Sequence, residues 1–339
     1  MRTALAGLGD IGAGAHLPAL LRHPQVELAA LVDVSAERLD RAHATAGSGV
    51  RTTTDLDEVL ADDTVDAVVL ATPPWVTTDL AIRAVRAGRY VLAEKPVATS
   101  VGAAAAYDAL TEDETARLQV GLTYRHDPAI ETLAGWLRDG RLGRPLLVRA
   151  HIYDERRDPH DEEHTARLRR TLAHGTPVVH EGAHVFDWLT VLLGASSPTV
   201  DDAWALRTDA DLPAPNLVGA RLTYADSTVA LVEFGWLTDA LPRSEVTFLG
   251  PRGHAVLHGS TFDLELTTAD GYERVEFDGD RTTRCFDRQL TRFVELATGE
   301  RTRPEPGLAA GRAALETSER VATAAHERST HDDGGESRA

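Results

Sequence analysis

The first 122 residues alternate short apolar segments with longer amphipathic ones, and this alternation constrains the fold more than any other feature. The apolar segments have the length and β-branched content of strands: Thr3–Ala6, Leu28–Asp33, Ala67–Ala71, Tyr90–Glu94 and Leu118–Leu122. Strands that are separated by helices form βαβ units and a parallel sheet. The sequence therefore predicts an α/β fold whose N-terminal domain, residues 1–122, is a doubly wound parallel sheet.

The chain beyond residue 122 has a different texture. Strand-like segments follow one another with short turns between them, from Leu146–Tyr153 to Arg274–Phe277, and two helices follow, over Arg281–Thr298 and Leu308–Ala325. Consecutive strands with short turns are typical of an antiparallel sheet. We predict a C-terminal α+β domain over residues 123–326 with a large, mostly antiparallel sheet, and a disordered polar tail over residues 327–339.

A glycine motif over Gly7–Gly12 follows the first predicted strand directly and precedes a helical segment. In such a G-x-G-x-x-G motif the first glycine permits a tight turn, the second lets the backbone approach a pyrophosphate, and the third lets the helix pack on the strand. We therefore predict a dinucleotide-binding Rossmann domain. The predicted cofactor-binding residues of this turn are Gly7, Gly9, Asp10, Ile11 and Gly12, although Asp10 can instead cap the helix or face solvent.

Asp33 ends the second predicted strand about twenty residues after the motif. A carboxylate at this place accepts hydrogen bonds from the adenosine ribose and repels the 2′-phosphate of NADP. We therefore predict NAD as the cofactor, while Arg38 keeps NADP possible. Thr72 and Pro73 follow another strand at the same edge of the sheet, where they either line the nicotinamide ribose pocket or form a structural turn.

Lys95 is the only lysine in a chain that is rich in arginine. Arginine can replace a lysine that only has to be positive and solvated, but not a compact ammonium in a tight pocket or a group that exchanges a proton. Lys95 follows a strand, and Pro96 favours an extended backbone before it. We predict that Lys95 binds the reacting oxygen of a substrate and stabilises the negative charge that develops there, with Glu94 as its partner. Glu94 and Lys95 are also predicted to border the cofactor.

The composition narrows the range of partners. A formal net charge of −18 repels phosphate backbones and anionic membrane surfaces, so we expect no nucleic acid or membrane partner and favour a neutral small molecule. The sequence shows neither an apolar stretch of about eighteen residues nor a signal-peptide pattern, and we expect a cytoplasmic protein. Cys285, the only cysteine, allows neither an intramolecular disulfide nor a thiolate zinc site. We expect Cys285 to have no functional role and the protein to need no metal ion.

Several motifs occur together along the whole chain: the Gly7–Gly12 turn, Asp33, Thr72-Pro73, Glu94-Lys95-Pro96 and His184–Asp187. In this combination the chain resembles the Gfo/Idh/MocA family, the relatives of glucose–fructose oxidoreductase and inositol dehydrogenase. The resemblance implies a two-domain oxidoreductase that transfers a hydride at a carbinol or carbonyl carbon of a sugar, cyclitol or similar polyol. It also implies a homodimer or homotetramer formed through the open face of the C-terminal sheet.

The family usually has an aspartate four residues before its active-site histidine, and here these two positions are His180 and His184. Residues four apart at the start of a helix share one face, so both imidazoles can point into one cleft. We expect His184 to accept or donate the proton of the reacting oxygen, and the helix N-terminus to keep its ring neutral. His180 either orients His184 or contacts a neighbouring hydroxyl, and a buried structural role stays open for both.

Arg125 follows the last strand of the first domain, where the resemblance places residues at the domain junction. It contacts cofactor or substrate, or else forms an interdomain salt bridge. The charged segment Asp154–His174 can cover the substrate, and a solvated loop is the alternative.

Two other functions stay open. The segment His180–His184 also matches the H-E-x-x-H motif of zinc proteases, but Gly182 weakens that helix and no third ligand follows. A catalytically silent, dinucleotide-binding sensor on the same fold is the second alternative. The retention of a single lysine at the predicted nicotinamide edge favours the enzyme.

Overall fold

The computed structural model describes residues 1–158, 160–194 and 197–335, with side chains described as far as Arg328. The chain divides into two compact units. Unit 1 consists of Met1–His126 and Thr282–Arg312, and unit 2 consists of Asp127–Arg281 and the chain from Ala313.

Unit 1 contains a six-stranded sheet in the spatial order β3–β2–β1–β4–β5–β6, and every strand pair is parallel. The strands are β1 (Arg2–Ala6), β2 (Glu27–Val32), β3 (Arg51–Thr53), β4 (Ala67–Leu70), β5 (Tyr90–Glu94) and β6 (Leu118–Gly121). The order reverses direction beside β1, as in a doubly wound fold. This confirms the predicted Rossmann sheet.

Helices connect these strands. They are α1 (Leu17–Arg22), α2 (Ala36–Ala46), α3 (Leu56–Leu60), α4 (Pro74–Arg86), α5 (Val101–Ala104) and α6 (Glu112–Thr115), with a π-helical turn at Gly12–His16 before α1 and 3₁₀ turns at Ala105–Ala109 and Thr123–His126. Their apolar sides bury the sheet, whose central positions, such as Leu5, Leu31 and Leu92, are fully buried.

Unit 2 contains an eight-stranded sheet in the order β14–β13–β12–β11–β7–β10–β9–β8. The strands are β7 (Leu147–Glu155), β8 (Thr199–Leu206), β9 (Leu217–Thr223), β10 (Val229–Trp236), β11 (Glu245–Gly250), β12 (Gly253–His258), β13 (Leu264–Thr268) and β14 (Gly271–Val275). Strands β7 and β10 pair in parallel and the other pairs are antiparallel. The predicted α+β architecture with a large, mostly antiparallel sheet is thereby confirmed.

One face of this second sheet is covered by helices. The helices before the last strands are α7 (Pro128–Arg138), α8 (Glu162–Leu172), α9 (Pro177–His180) and α10 (Gly182–Leu193). Phe186 of α10 packs on Phe234 of β10, with ring centroids 5.9 Å apart. Alternate residues of β10 lie on this buried face, and the residues between them lie on the other face.

The last two helices are α11 (Arg281–Ala297) and α12 (Leu308–Gly335). The sequence predicted both as part of the C-terminal domain, but α11 belongs to unit 1. The physical reason is that Phe286, Leu290 and Phe293 of α11 pack in one cluster with the core of the first sheet, and Cys285 is buried on the same helix.

Three segments differ from the prediction. Strand β3 was not predicted, and the segment Asp154–His174, for which a solvated loop stood open, contains α8. Helix α12 extends to Gly335, so the predicted polar tail is helical to that residue, and residues 336–339 lie outside the described residues.

Candidate active site

The glycine turn after β1 packs closely against the protein at Gly7 and Gly12 but not at Gly9. Gly7 has a φ of +90°, and a Cβ on it would lie 2.4 Å from the carbonyl oxygen of Ala71. A Cβ on Gly12 would lie 1.9 Å from the carbonyl oxygen of Gly7, whereas a Cβ on Gly9 would meet nothing within 4 Å. The backbone at Gly9 therefore borders open space, which is what a bound pyrophosphate requires of the second glycine.

Asp10 and Ile11, the other two predicted residues of the turn, begin the helical segment after it. Both are exposed, and the main-chain amide of Ala13 donates to the carbonyl oxygen of Gly9, 2.8 Å away. The helix therefore starts at the open side of the turn, where the helix dipole favours an anion.

Asp33 follows β2 directly and is buried. One carboxylate oxygen accepts from the amide of Leu8 at 2.7 Å, and the other accepts from the amide of Ser35 at 2.9 Å. The guanidinium of Arg38 lies 4.0 Å from the same carboxylate. Asp33 thus braces the glycine turn, and an acidic and a basic group both stand at the end of β2.

Thr72 and Pro73 follow β4 and lead into α4. The hydroxyl of Thr77 lies 2.8 Å from the Thr72 hydroxyl and 3.0 Å from the Pro73 carbonyl oxygen. Because α4 begins at Pro74, this buried threonine ties the turn to the first turn of the helix. The turn is therefore fixed in place next to the glycine loop, where Gly7 already contacts Ala71.

The segment around Lys95 is held on both sides. Before it, the Glu94 carboxylate accepts from the main-chain amide of Lys95 at 3.1 Å. After it, the carbonyl oxygen of Val97 accepts from the hydroxyls of Thr78 and Tyr107, each at 3.0 Å. Burial raises the pKa of Tyr107 to about 12, although the hydrogen bond with Thr78 opposes this shift, so the phenol stays a donor. The half-buried Lys95 therefore stands on a fixed backbone.

Arg125 lies in the 3₁₀ turn after β6 and is half-buried. With it, the predicted residues of unit 1 all follow the carboxyl ends of parallel strands, and these ends share one edge of the sheet. They are the Gly7–Gly12 turn after β1, Asp33 after β2, Thr72-Pro73 after β4, Glu94-Lys95 at the end of β5 and Arg125 after β6. This is the edge at which doubly wound sheets bind their ligands.

In unit 2, His180 is buried and has an aromatic partner. It is the last residue of α9, and its ring stacks on Trp236 of β10 at a centroid distance of 5.4 Å and an interplanar angle of 25°. The Trp236 indole donates to the Asp154 carboxylate at 2.9 Å. Gly175 lies on another side, because a Cβ there would be 3.3 Å from the His180 Nε2. The ring plane of His180 is therefore set by its surroundings.

His184 lies on the next helix and is also buried. Helix α9 ends at His180 and α10 begins at Gly182, so the two histidines do not share one regular helix as the sequence predicted. The His184 ring stacks on Trp188, one turn further along α10, at a centroid distance of 6.5 Å. Each histidine thus packs on a tryptophan of its own.

The charged segment Asp154–His174 contributes to this region through α8. Leu168 and Leu172 of that helix pack in one apolar cluster with Trp236 and Leu237. The side of α8 that carries these leucines therefore supports the tryptophan on which His180 stacks.

Two features are absent from the described parts of the chain. No group of three or more histidine, cysteine, aspartate or glutamate side chains is arranged to hold a metal ion. No described helix combines the length and the apolar character that a membrane span needs.

Comparison with known proteins identifies the family. The profile of an oxidoreductase family with an NAD-binding Rossmann fold, GFO_IDH_MocA, matches residues 1–122, and the GFO/IDH/MocA C-terminal domain matches residues 130–256. The chain belongs to the Gfo/Idh/MocA family. It is therefore an NAD-dependent oxidoreductase, as the sequence motifs predicted.

Proteins with similar sequences include dehydrogenases that are named for different substrates. The chain is 25% identical to an inositol 2-dehydrogenase of Rhizobium meliloti over 308 residues, which are 87% of this chain and 88% of that protein. It is 29% identical to a levoglucosan dehydrogenase of Pseudarthrobacter phenanthrenivorans over 43% of this chain and 37% of that one. An Agrobacterium radiobacter oxidoreductase, solved with NAD⁺, L-tartaric acid and magnesium, has the same fold, with a TM-score of 0.81, 18% identity and 96% of each chain covered.

His16 and Trp236 are among the residues that contact the predicted site residues without having been predicted themselves. His16 lies 2.8 Å from Glu94, and Trp236 stacks on His180. The sequence does indicate that His16 is buried, because it lies on the apolar side of the helical segment after the glycine motif. It does not indicate that His16 contacts Glu94. No signal marked Trp236, because its pairing with His180 joins segments that lie far apart in the sequence.

Proposed function

We propose that the protein transfers a hydride between NAD(H) and a carbinol or carbonyl carbon of a sugar, a cyclitol or a related polyhydroxylated compound. The observation that carries this proposal is the position of the only lysine. Lys95 follows β5 directly, on a fixed backbone, at the sheet edge that also holds the glycine turn. The inositol and levoglucosan dehydrogenases among the relatives support the substrate class.

The residues of unit 1 fit a dinucleotide. The open space at Gly9 can take a pyrophosphate, and Asp33 can take the ribose hydroxyls while it braces the turn. Thr72, Pro73 and Arg125 are proposed to border the nicotinamide half, as are Glu94 and Lys95. Asp33 favours NAD, and the nearby Arg38 supplies a cation that can accommodate the 2′-phosphate of NADP.

Lys95 is proposed to bind the reacting oxygen. A nicotinamide held at this sheet edge would supply the chemistry of hydride transfer. The Lys95 ammonium donates a hydrogen bond to the substrate oxygen and stabilises its alkoxide-like charge, and a donor that is already in place loses little free energy to reorganisation. The bonds at Glu94 and Val97 supply this preorganisation.

His184 is proposed to take up the hydroxyl proton during oxidation and to return it during reduction. His180 is proposed to contact a neighbouring substrate hydroxyl, with its ring plane set by Trp236. Imidazole suits proton transfer near neutral pH.

A comparison of three proteins tests the role of Lys95. NADH formation is measured over a panel of polyols and sugars for the native protein, Lys95→Ala and Lys95→Arg, and NADH binding is followed by fluorescence. We expect kcat to fall by roughly 10²–10³-fold or more in Lys95→Ala, while NADH still binds. Lys95→Arg keeps the charge and should also lose turnover, because a guanidinium cannot replace a compact ammonium.

Two results contradict the proposal. Activity that survives Lys95→Ala excludes the assigned role of the lysine. NADH binding without turnover on any panel member favours the sensor instead.

The substrate is proposed to be a neutral polyol.

The protein is proposed to form a homodimer or homotetramer through the face of the second sheet that its helices leave uncovered. Two aromatic rings pack against glycines on this face. A Cβ on Gly235 would be 2.5 Å from the Tyr153 ring, and one on Gly219 would be 2.4 Å from the Trp204 ring. Partly exposed aromatic rings favour association with a second sheet. The cytoplasmic location stays a prediction.

A further inference from the structure

His16 stands where the glycine turn continues into its helix. It is the last residue of the π-helical turn Gly12–His16, in which the amide of Leu17 donates to the carbonyl oxygen of Gly12. Such π-helical turns occur often at functional sites. The imidazole is 3% exposed, and its ring meets Phe286 edge-on at a centroid distance of 4.8 Å. Its position is therefore fixed by packing.

The partner of His16 is the residue before the lysine. The His16 Nε2 lies 2.8 Å from one carboxylate oxygen of Glu94, and both side chains are buried. An ionised carboxylate can only accept hydrogen bonds, so His16 is the donor. The other oxygen of Glu94 accepts from the Lys95 amide. One carboxylate thus joins the imidazole of His16 to the backbone of Lys95.

The Glu94 carboxylate is buried and closely packed, and hydrogen bonds to both of its oxygens hold it in place. It lies beside β6, where a Cβ on Gly121 would be 2.9 Å from the Glu94 Cδ. A buried carboxylate is costly unless its oxygens are hydrogen-bonded. Without the His16 donor, one carboxylate oxygen loses its hydrogen bond. The carboxylate can then rotate toward another donor, and this rotation breaks its hydrogen bond with the Lys95 amide.

We propose that His16 is a positioning residue for Lys95, acting through Glu94. The inference rests on the proposed role of Lys95 as the group that binds the reacting oxygen. The helical segment that follows the glycine turn carries His16. His16 therefore links the glycine turn to the segment around Lys95. His16 itself is not assigned a contact with substrate.

Kinetics give the first test. In His16→Leu we expect kcat to fall by roughly 10–100-fold, while the KM for substrate and the Kd for NADH change by less than about threefold. His16→Gln places an amide donor near the Nε2 position and should recover most of kcat, whereas the shorter His16→Asn should not. His43→Leu, which removes another histidine of unit 1, is the matched control and should leave kcat unchanged. Equal losses in all three His16 variants, or a loss in NADH affinity alone, overturn the proposal.

The single lysine permits a second test that needs no substrate. Labelling with ¹⁵N-lysine gives one main-chain amide signal, which reports directly on the bond from Lys95 to Glu94. In His16→Leu this amide should exchange with solvent roughly tenfold faster or more, because a hydrogen bond to a charged group is lost. His16→Gln should restore slow exchange, and His43→Leu should not alter it.

The two readouts separate this proposal from the function on which it rests. An unchanged Lys95 amide in His16→Leu overturns the positioning role, whatever the kinetics show. If the Lys95 amide responds to His16→Leu but the Lys95→Ala variant keeps full turnover, the coupling between His16 and Lys95 stands and the proposed function is wrong. If His16→Leu does not fold, the comparison of His16→Gln with His16→Asn decides the same question.

Discussion

His126 illustrates what burial does to a single ionisable side chain. It ends the 3₁₀ turn after β6, and its Nε2 atom is buried without a hydrogen-bond partner among the described residues. Burial, together with the nearby charges of Arg125 and three further arginines, lowers the pKa of His126 to about 3. The folded protein therefore holds this imidazole neutral over the whole physiological range.

This burial predicts a loss of stability in acid. Between pH 6.5 and about pH 3 the unfolded chain binds a proton at His126 that the folded chain does not, so the stability present above pH 6.5 falls as the pH falls. At pH 5 the loss is about 2 kcal/mol, or roughly 4–8 °C in Tm for a unit of this size. The drop in Tm from pH 7.5 to pH 5.0 should be smaller by this amount in His126→Leu.

The region above neutral pH supplies the control. Between pH 7.5 and pH 8.5 the imidazole is neutral in both states, so the native protein and His126→Leu should change alike. An equal acid drop in both proteins contradicts the assignment of this effect to His126.

Single residues could be predicted from the sequence where their identity or spacing is unusual. Lys95 was predicted because it is the only lysine, and Asp33 because of its distance from the glycine motif; both lie at the expected sheet edge. His16 could not be assigned in this way, because its partner Glu94 is 78 residues away and the contact exists only when β5 lies beside the first helix. The stacking of His180 on Trp236 depends in the same way on tertiary packing.

At the scale of elements, two glycines of the turn after β1 differ in what surrounds them. Gly12 is needed for the fold, since a Cβ on it would collide with the carbonyl oxygen of Gly7. Gly9 has no such neighbour. The packing of the turn therefore does not require a glycine here, and we propose that the missing side chain leaves room for a ligand.

This difference predicts opposite results for two alanine variants. Gly9→Ala should keep the Tm of the native protein within about 2 °C but weaken NADH binding by roughly tenfold or more, because the Cβ fills space that the pyrophosphate needs. Gly12→Ala should lower the Tm strongly, since the backbone of the turn must shift. Thermal unfolding and NADH titration measure both effects.

Gly14→Ala is the matched control for this pair. Gly14 lies in the same helical segment and a Cβ on it would also meet nothing within 4 Å, so neither property should fall. Unimpaired NADH binding in Gly9→Ala contradicts the assignment of the turn to the cofactor.

Elements with a regular apolar pattern were predicted and those without one were not. Strand β5 was predicted with its observed bounds, because its apolar run is uninterrupted. Strand β3 has only Arg51, Thr52 and Thr53, of which the first two are exposed, and thus no apolar pattern. Helix α8 buries only Leu168 and Leu172, and a charged segment with two leucines gives little sign of a helix.

At the scale of the molecule, the division into units does not follow the order of the sequence. Helix α11 comes after the last strand of unit 2 and packs in unit 1, where it brings Phe286 against His16. A prediction from the order of elements places it in the C-terminal domain, since the apolar side of a helix does not show which sheet it covers. The return of the chain to unit 1 thus supplies part of the support of the lysine segment.

The uncovered face of the second sheet determines the expected assembly. Leu206 of β8 and Leu249 of β11 are 52% and 47% exposed, and the rings of Tyr153 and Trp204 lie on the same face. Apolar and aromatic groups in this arrangement are typical of the centre of a homodimer interface. The proposed assembly is therefore built from the sheets of identical chains.

The double variant Leu206→Arg/Leu249→Arg tests this assembly. Light scattering after gel filtration should give the mass of two or four chains for the native protein and a lower mass for the variant, because each arginine must be desolvated in the interface. Leu21→Arg changes an exposed leucine of α1 in unit 1, 43% exposed, and should leave the mass unchanged. A native protein with the mass of one chain, or a double variant with the native mass, contradicts the proposed interface. Since the variants lie outside the glycine turn and the lysine segment, NADH should still bind to the dissociated chain.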